Sequence, residues 1–515
     1  MTPLAVGRSA LAVAVALVLL LPVGANAQAG PARYVDCGAT SAGDGTQARP
    51  WNSLTLASSF QLSPGARLLL RRGSVCTGLL APEGSGSRRS PALIGAYGRG
   101  PKPRIEGNGE DAVLLRDTSH VVLERLEVSN PGDGSGPKRG VTAVAELGPV
   151  SDLTLRHLYI HDVGGDLTKG AHGSAGIEAA VWGDPAPAPQ RFQGLLIAGN
   201  RIEDVSRSGI RVDGTVDRSR PTADQPWPQA SSGVVIRSNH LAHLAGDGIV
   251  PTGTLGARVI GNVVLDGNLA GGSYTEASGL VCNAGIWTFH SNRTRIVRNE
   301  VGGMHFNGCD GTGYDVDYDQ DGTVVQFNYS HDNEGGFILL CGEEETRRAD
   351  VRFNLSIDDD ATLNTVPCRI AEGVVGTLSG VRFFNNTIVA AKPRLVGEGI
   401  ELPALALGGD FSFENNIVYA TERGSRPFPC GEHCSHNLFF NLPAAGEQSV
   451  VADPAFRDPR LRGRGRLRVG RGFRLLARSP AIGAGARIPA GARRDFFGNR
   501  ISQTRPPDIG FFQVR

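Results

Sequence analysis

The fold is decided by a short stretch, Leu195-Leu196-Ile197-Ala198-Gly199-Asn200, whose pattern of residue types recurs along the chain. In each copy a short apolar run leads into a turn that carries an asparagine. The further copies end in Asn239, Asn262, Asn299, Asn328, Asn354, Asn386 and Asn416, so that neighbouring asparagines lie 23 to 39 residues apart. A strand this short cannot bury its own apolar face, but stacked coils bury a continuous core. The repeat predicts an all-β chain, folded as a single-stranded right-handed parallel β-helix with an asparagine ladder at one turn.

The segments on either side of the repeats resemble those of the secreted parallel β-helix (pectate-lyase-like) superfamily. Residues 28–110 are predicted to form an N-terminal cap and the first coils, with a short cap helix over Leu54 to Leu62. Residues 111–445 are predicted to form the solenoid with its groove, and residues 446–515 a C-terminal closing segment. The resemblance implies the fold and carries little information about function.

The N-terminus has the features of a signal peptide over residues 1–27. Arg8 is followed by an apolar run from Leu11 to Leu21, and Ala25-Asn26-Ala27 fits a cleavage site before Gln28. We therefore expect a secreted or periplasmic protein. Later stretches are too short for a transmembrane helix, so no membrane span is predicted.

The eight cysteines favour disulfide bonds, because an even number in an exported chain is typical of disulfide pairing. Buried free thiols are the alternative. Two pairs are each separated by 27 residues, which is about the length of one coil, and two further pairs lie in the cap and in a small loop. The expected pairs are Cys37 with Cys76, Cys282 with Cys309, Cys341 with Cys368, and Cys430 with Cys434.

The composition restricts the classes of partner. A formal net charge of +1 gives no support to binding of nucleic acid or of an anionic membrane. The 70 glycines are nearly twice the usual share and show no period of three, which excludes collagen and indicates many tight turns. We expect a monomer whose partner is a poly- or oligosaccharide.

A second strand in each unit opens with glycine, as in Gly285-Ile286-Trp287-Thr288-Phe289 and Gly313-Tyr314-Asp315-Val316-Asp317. Side chains alternate between the two faces of a strand. Ile177, Ile210, Ile249, Ile286, Val316 and Ile338 are therefore predicted to face the core. The opposite face is predicted to form a groove lined by Glu178, Arg211, Asp213, Trp287, Phe289, Asp315, Asp317, Asp319, Phe337 and Leu339.

Carboxylates between exposed aromatic rings suit a carbohydrate site. Aromatic faces stack on sugar rings, and two carboxyl groups can act as general acid and as base or nucleophile. Clustered like charges also raise the pKa of one carboxyl group. The alternatives for the run from Asp310 to Gly322 are a calcium site and a solvated or structural face. It matches an EF-hand loop poorly, because the closing glutamate is missing. We expect no cofactor, with Ca²⁺ as the open alternative.

The run Asp310-Gly-Thr-Gly-Tyr-Asp315-Val-Asp317, with the residues up to Phe337, resembles β-helix glycoside hydrolases of the lacto-N-biosidase-like type. The resemblance covers residues 285–340 and rests on the seven-residue spacing of Asp310 and Asp317. It implies that Asp317 is the nucleophile and Asp310 the acid/base, with Asp315 as a substitute for either. No substrate is implied.

Six further polar residues are candidates for substrate contact, each with a structural alternative such as a turn or an internal ion pair. They are His290, Asp213, Arg211, Asp247, Asp319 and His331.

Two other functions compete with a glycosidase. A polysaccharide lyase or uronate epimerase, assisted by Ca²⁺, would need a basic residue such as Lys138, Lys169, Arg211 or Arg369, and neither lysine falls on an aligned strand. Trp287 and Phe289 beside the carboxylates also suit a neutral sugar better than a polyanion. The third candidate is a carbohydrate-binding adhesin without catalytic activity.

Overall fold

The computed structural model describes residues 30–169, 172–182, 190–214, 230–270, 282–307, 310–317, 319–341, 346–366, 378–397, 400–401, 410–489 and 491–514. The signal peptide predicted for residues 1–27 lies outside these ranges, as does Arg369. Within them, short strands form three long sheets, and successive strands pair in parallel except for the last pair, Leu395–Gly397 with Ile400–Glu401, which is antiparallel. The chain is therefore a parallel β-helix, as the repeat predicts.

We number the sheets in the order in which a coil visits them. Sheet 1 contains Ala32–Val35, Arg67–Arg71, Ala92–Tyr97, Val121–Glu124, Pro149–Arg156, Arg191–Ala198, Ser231–Arg237, Thr254–Leu255, Arg258–Ile260, Ser291–Asn292, Arg295–Val297, Gln320–Asp321, Val324–Gln326, Thr346–Arg347, Asp350–Arg352, Leu378–Phe384, Asp410–Glu414 and Cys434–Ser435. Sheet 2 contains Val75–Thr77, Arg104–Glu106, Glu127–Asn130, Tyr159–Val163, Arg201–Val205, His240–Leu244, Val263–Gly267, Glu300–Met304, Tyr329–His331, Leu355–Ile357, Thr387–Ala390, Ile417–Ala420, Leu438–Phe440 and Val450–Val451. Sheet 3 contains Asp111–Arg116, Arg139–Ala145, Ala175–Val181, Ser208–Asp213, Ile249–Thr252, Ile286–Thr288, Thr312–Val316, Gly336–Cys341, Leu363–Val366, Leu395–Gly397 and Ile400–Glu401.

The core fills the space between the three sheets. The six residues predicted to face inward from the glycine-led strands, Ile177, Ile210, Ile249, Ile286, Val316 and Ile338, are all fully buried in one continuous apolar cluster. Tyr314 joins them, and its hydroxyl group donates a hydrogen bond to the carbonyl oxygen of Tyr329. The glycine-led strands are the strands of sheet 3, so the predicted groove is the outward face of this sheet.

The asparagine ladder lies at the turn between sheets 1 and 2. The side-chain amide of Asn299 donates to Oδ1 of Asn328 (3.1 Å), and Asn328 donates in the same way to Asn354 (3.0 Å). The pattern runs from Asn200 to Asn416 as predicted and continues to Asn437. The residue before each rung has positive φ, including bulky Phe327 (φ 60°). This conformation is unfavourable for a residue with a side chain, so the ladder bonds hold the turn in place.

The N-terminal end is covered by a helix that is shorter than predicted. It spans Leu54–Ser58, and the hydroxyl group of Ser53 accepts a hydrogen bond from the backbone N–H of Leu56 as its N-cap. A second helix, Arg466–Gly470, belongs to the C-terminal segment. The helices in the described ranges are too short and too polar to cross a membrane.

Two of the predicted disulfide bonds are present, Cys37–Cys76 and Cys430–Cys434. Cys282 is also disulfide-bonded. Its predicted partner Cys309 lies outside the described residues, as do Cys368 and the side chain of Cys341, so the two pairings between coils stay predictions.

The C-terminal segment packs along the outer side of sheet 2. Val469, Phe473 and Phe496 are buried in an apolar cluster with Phe353 and other residues of the solenoid. The carboxylate of Glu300, on sheet 2, accepts hydrogen bonds from the backbone N–H groups of Gly465 (2.7 Å) and Arg466 (2.8 Å). A buried carboxylate therefore anchors this segment.

His331 lies beneath the same segment, and its position corrects the prediction that it contacts substrate in the groove. It ends a strand of sheet 2, where its Nδ1 contacts Oδ2 of Asp332 (2.7 Å) and its Nε2 lies 3.6 Å from Glu300. The strand Tyr329–His331 belongs to sheet 2, whereas the groove lies on sheet 3. The side chain of His331 is therefore on a different sheet from the groove.

The ion pairs of His331 predict that the fold loses stability at alkaline pH. Burial lowers the pKa of His331, but the bonds to Asp332 and Glu300 outweigh it and raise the pKa to about 9. The stabilisation is complete below the ordinary histidine pKa near 6.5 and is lost as pH rises through about 9, with a total on the order of 3 kcal/mol. Thermal unfolding of the wild type should show this loss between pH 6.5 and 10, and the His331→Gln variant should show much less of it. An equal pH dependence in both proteins would contradict the prediction.

Candidate active site

The groove side chains of sheet 3 are aligned by the parallel register. Glu178 pairs with Arg211, and Arg211 pairs with Val250 on the next strand. Further along, Trp287 pairs with Asp315, and Asp315 pairs with Leu339. Glu178, Arg211, Trp287, Asp315 and Leu339 therefore lie in the row that the sequence prediction assigns to the outer face.

Three aspartates lie around the strand Thr312–Val316. Asp315 is within the strand, Asp310 precedes it and forms a parallel bridge with Asn283, and Asp317 follows it. The backbone N–H of Asp317 donates to the carbonyl oxygen of Thr288 on the neighbouring coil (3.2 Å). The structure thus brings together the three candidate catalytic residues, because Asp310 and Asp317 both act electrostatically on Asp315.

The backbone of Asp317 is fixed by side chains of sheet 1. Its carbonyl oxygen accepts hydrogen bonds from Nε2 of Gln320 (2.8 Å) and Oγ1 of Thr346 (2.9 Å). Both donor residues are fully buried. These two bonds hold the backbone at Asp317 in place, which suits a group that must be positioned for chemistry.

The next coil passes very close to Asp310. A Cβ atom on Gly335 would lie 1.6 Å from the carbonyl oxygen of Asp310, which no side chain can tolerate. The glycine that opens this coil therefore permits the approach of the two backbones.

The surroundings of Asp315 favour the neutral form of its carboxyl group. It is 3% exposed, and burial together with the charges of Asp317 and Asp310 raises the pKa of its carboxyl group well above the usual value, while Lys169 acts in the opposite direction. Its Oδ1 atom has no hydrogen-bond partner in the described part of the chain. A neutral carboxyl group can donate a hydrogen bond or a proton, which an ionised one cannot.

Trp287 is buried, which corrects the prediction of an exposed aromatic platform. Only 5% of it is exposed, and its indole N–H donates to Oδ1 of Asp247 (2.8 Å). Its ring stacks on that of Phe289, with centroids 5.1 Å apart. Phe289 is half-buried, so it is the ring of this pair that can meet a ligand.

Asp247 is a fully buried support for Trp287, and this position corrects its assignment to direct substrate contact. Besides the indole N–H it accepts the backbone N–H of Ala284 (3.2 Å) and lies 3.2 Å from NH1 of Arg207. The residue comes just before a glycine-led strand, at the turn where its side chain points along the sheet.

Lys169, which the sequence analysis names only as a candidate base for a lyase, lies beside Trp287 in the structure. Its ammonium group lies 5.0 Å from the centre of the Trp287 ring and donates a hydrogen bond to the carbonyl oxygen of Cys282. It reaches the site from a turn 113 residues earlier in the chain than Cys282. The sequence offered one hint of a role at this site, which is that lysine is rare, because the chain has only four lysines.

The remaining candidates have different positions. His290 and Asp319 are buried and bonded to each other, with Nδ1 and Oδ2 2.8 Å apart, and their role in substrate binding stays a prediction. Arg211 and Asp213 are buried and form an ion pair with each other. Their strand lies three strands upstream of Thr312–Val316, and the strand of Glu178 lies four strands upstream.

Phe337 faces the core, which corrects its assignment to the groove. It is fully buried and packs against Tyr314 and Phe383, with ring centroids 6.1 and 6.0 Å away. Gly336 before it has φ of +117°, a conformation that interrupts the regular alternation of side chains. Alternation counted from Leu339 therefore fails at this residue.

The described side chains do not bring three histidine, cysteine or acidic groups together in an arrangement that could hold a metal ion.

Comparisons with known proteins agree with the fold. Residues 102–301 match the family model described as "Right handed beta helix region". A lacto-N-biosidase from Bifidobacterium longum subsp. longum is 26% identical, in an alignment that covers 98% of this chain and 39% of that protein. The chain thus spans well under half the length of this curated relative.

Two solved structures illustrate the likeness. A GH136 lacto-N-biosidase from Eubacterium ramulus is 26% identical, with a TM-score of 0.64 and coverage of 75% of this chain and 67% of the other. XylC in complex with xylose is 13% identical, with a TM-score of 0.51 and coverage of 94% and 98%, and supports the fold alone. The chain is a right-handed parallel β-helix protein whose sequence and structure are similar to those of lacto-N-biosidases.

Proposed function

We propose that this protein is a secreted glycoside hydrolase that cleaves a neutral glycan in an active site formed by Asp310, Asp315 and Asp317. The observation that carries the proposal is the position of three carboxyl groups around the strand Thr312–Val316, where burial and the charges of its two neighbours raise the pKa of Asp315. Carboxyl groups with separated pKa values supply the acid and the base or nucleophile of glycoside hydrolysis. The likeness to two lacto-N-biosidases supports the same reaction class.

In the proposed mechanism Asp310 protonates the glycosidic oxygen, and the bond from this oxygen to the anomeric carbon breaks. Asp317 either activates the water that attacks the anomeric carbon or attacks that carbon itself and forms an ester. In the second case water, deprotonated by Asp310, breaks the ester bond and releases Asp317, and in both cases the elements of water end on the two products. Asp315 donates a hydrogen bond from its neutral carboxyl group to the sugar, and it replaces Asp310 as the acid if Asp310 is ionised.

The substrate is proposed to carry a terminal lacto-N-biosyl group, the unit that gives the two similar enzymes their name. Half-buried Phe289 offers an apolar surface for a sugar ring beside the aspartates. Lys169 is engaged with Trp287 and with a carbonyl oxygen, so its ammonium group acts as a hydrogen-bond donor. A lyase would need that group as a free base.

The test is a product screen with the purified full-length protein. It is incubated with lacto-N-biosyl-terminated oligosaccharides and, separately, with uronate polymers, with and without added Ca²⁺. We expect hydrolysis of the neutral substrates, seen by mass spectrometry as products that together contain one added water. Products with an unsaturated, ultraviolet-absorbing end would contradict the proposal in favour of a lyase, and binding without any product would favour an adhesin.

A further inference from the structure

A second cluster of polar side chains lies on the same face of sheet 3, upstream of the aspartates. Glu178 is on the strand Ala175–Val181, four strands before Thr312–Val316 in the parallel stack. At about 4.8 Å for each strand, this places it about 19 Å from the level of Asp315. The cluster is therefore outside the reach of a sugar unit bound at the aspartates.

Glu178 is fully buried but incompletely bonded. Its Oε1 accepts the backbone N–H of His172 (2.8 Å), whereas its Oε2 lies 3.5 Å from Nε of Arg139 and, in the described ranges, has no hydrogen-bond partner. Such a buried oxygen is unfavourable unless another group bonds to it. Burial and the charge of Asp213 raise the pKa of Glu178 to about 7, so the group can donate as well as accept near neutral pH.

Trp182 has a second unsatisfied group at the same place. Its ring lies 6.0 Å from the guanidinium group of Arg139 and 4.8 Å from the exposed ring of His172. The indole Nε1 is buried and likewise has no hydrogen-bond partner among the described residues. A hydroxyl group, which donates and accepts at once, is the chemical group that satisfies an indole N–H and a carboxyl oxygen together.

The charges around the cluster exclude an anionic ligand. Arg139 already contacts Glu110, Asp111 and Glu178, and Arg211 is paired with Asp213. Arg116, 5.1 Å from the Trp182 ring, is paired with Glu146. Five carboxyl groups therefore surround three guanidinium groups, and a uronate or a phosphate would meet excess negative charge.

We propose that Glu178 and Trp182 form a distal subsite that binds the hydroxyl groups of a neutral sugar unit in a glycan long enough to reach from the aspartates. This inference deepens the proposed function. It rests on that function only for the assumption that the other end of the bound glycan lies at the aspartates. The subsite makes the protein select long glycans over short ones.

The test measures binding apart from cleavage. Full-length protein carrying Asp317→Asn is titrated calorimetrically with pairs of neutral oligosaccharides that share one end and differ in length, including lacto-N-biose and longer lacto-N-biosyl-terminated chains. We expect the longer member of a pair to bind at least tenfold more tightly. Adding Glu178→Ala or Trp182→Phe should abolish that gain without changing the affinity for the short member.

Two further variants separate binding from folding. Glu178→Gln keeps a donor and an acceptor at the site and should keep most of the gain. Glu203→Ala removes a carboxylate that is paired with Arg201 on sheet 2 and should change neither affinity. Circular dichroism checks that each variant is folded.

The results distinguish this inference from the proposed function. A length-dependent gain that is lost in the two variants supports the subsite, even if the wild type cleaves none of the oligosaccharides. The proposal is overturned if no pair shows a length effect, if the gain survives both substitutions, or if the short and long members are weakened equally.

Discussion

Replacing Asp317 with asparagine is expected to slow glycan cleavage by roughly a thousandfold or more, because the amide can neither attack the anomeric carbon nor take a proton from water. Its backbone should stay in place, since Gln320 and Thr346 bond to the carbonyl oxygen and not to the carboxylate. The loss should therefore appear in kcat, with little change in KM or in the unfolding temperature. The measurement is the steady-state rate on the substrate found in the product screen.

The neighbouring aspartates provide the comparison that assigns roles. Asp310→Asn should slow cleavage of the natural glycan by a similar factor. The factor should be smaller for substrates whose leaving group departs without protonation. Asp315→Asn should slow cleavage by only about 10- to 100-fold, because the amide can still donate the hydrogen bond that the neutral carboxyl group supplies. Asp410→Asn, at an exposed position on sheet 1, is a matched control and should keep full activity. Full activity in Asp310→Asn and Asp317→Asn would disprove the site.

Much of the fold could be predicted from the sequence because the repeat is local and periodic. The ladder asparagines follow apolar runs, and the inward isoleucines alternate with outward residues, so both could be found by counting along the chain. Asn437 was missed because the residues before it, Cys434-Ser435-His436, contain no aliphatic run. Local counting fails where one residue interrupts the pattern, as Gly336 does before Phe337.

The candidate site was predictable only in part, for a different reason. The three aspartates lie within eight residues of each other, so their proximity could be inferred from the sequence. The surroundings of Trp287 depend on Lys169 and Asp247, which come from earlier coils and reach the site through turns. Contacts of this kind have no periodic signal, and the burial of Trp287 consequently could not be foreseen.

Replacing Asn328 with leucine is expected to destabilise the protein by about 3–5 kcal/mol, since it breaks the ladder in the coil that follows the aspartates. The side-chain amide of Asn328 donates to the carbonyl oxygen of Ile296 (2.9 Å) and to Asn354 (3.0 Å). Its Oδ1 accepts both the backbone N–H (2.9 Å) and the side-chain amide (3.1 Å) of Asn299. Leucine has a similar size, so the loss would come from buried polar groups left unbonded and not from a cavity.

The effect of Asn328→Leu is measured by urea and thermal unfolding against the wild type, with exposed Asn108→Ala as the control that should change stability by less than about 0.5 kcal/mol. The stacking of the coils also predicts which parts of the solenoid lose local stability in this variant. Each rung bonds only its two neighbours, so amide hydrogen exchange should accelerate most at the turns of Asn299 and Asn354 and least in the N-terminal cap. A loss below about 1 kcal/mol, or faster exchange spread evenly over the solenoid, would show that the apolar core holds the coils together without the ladder.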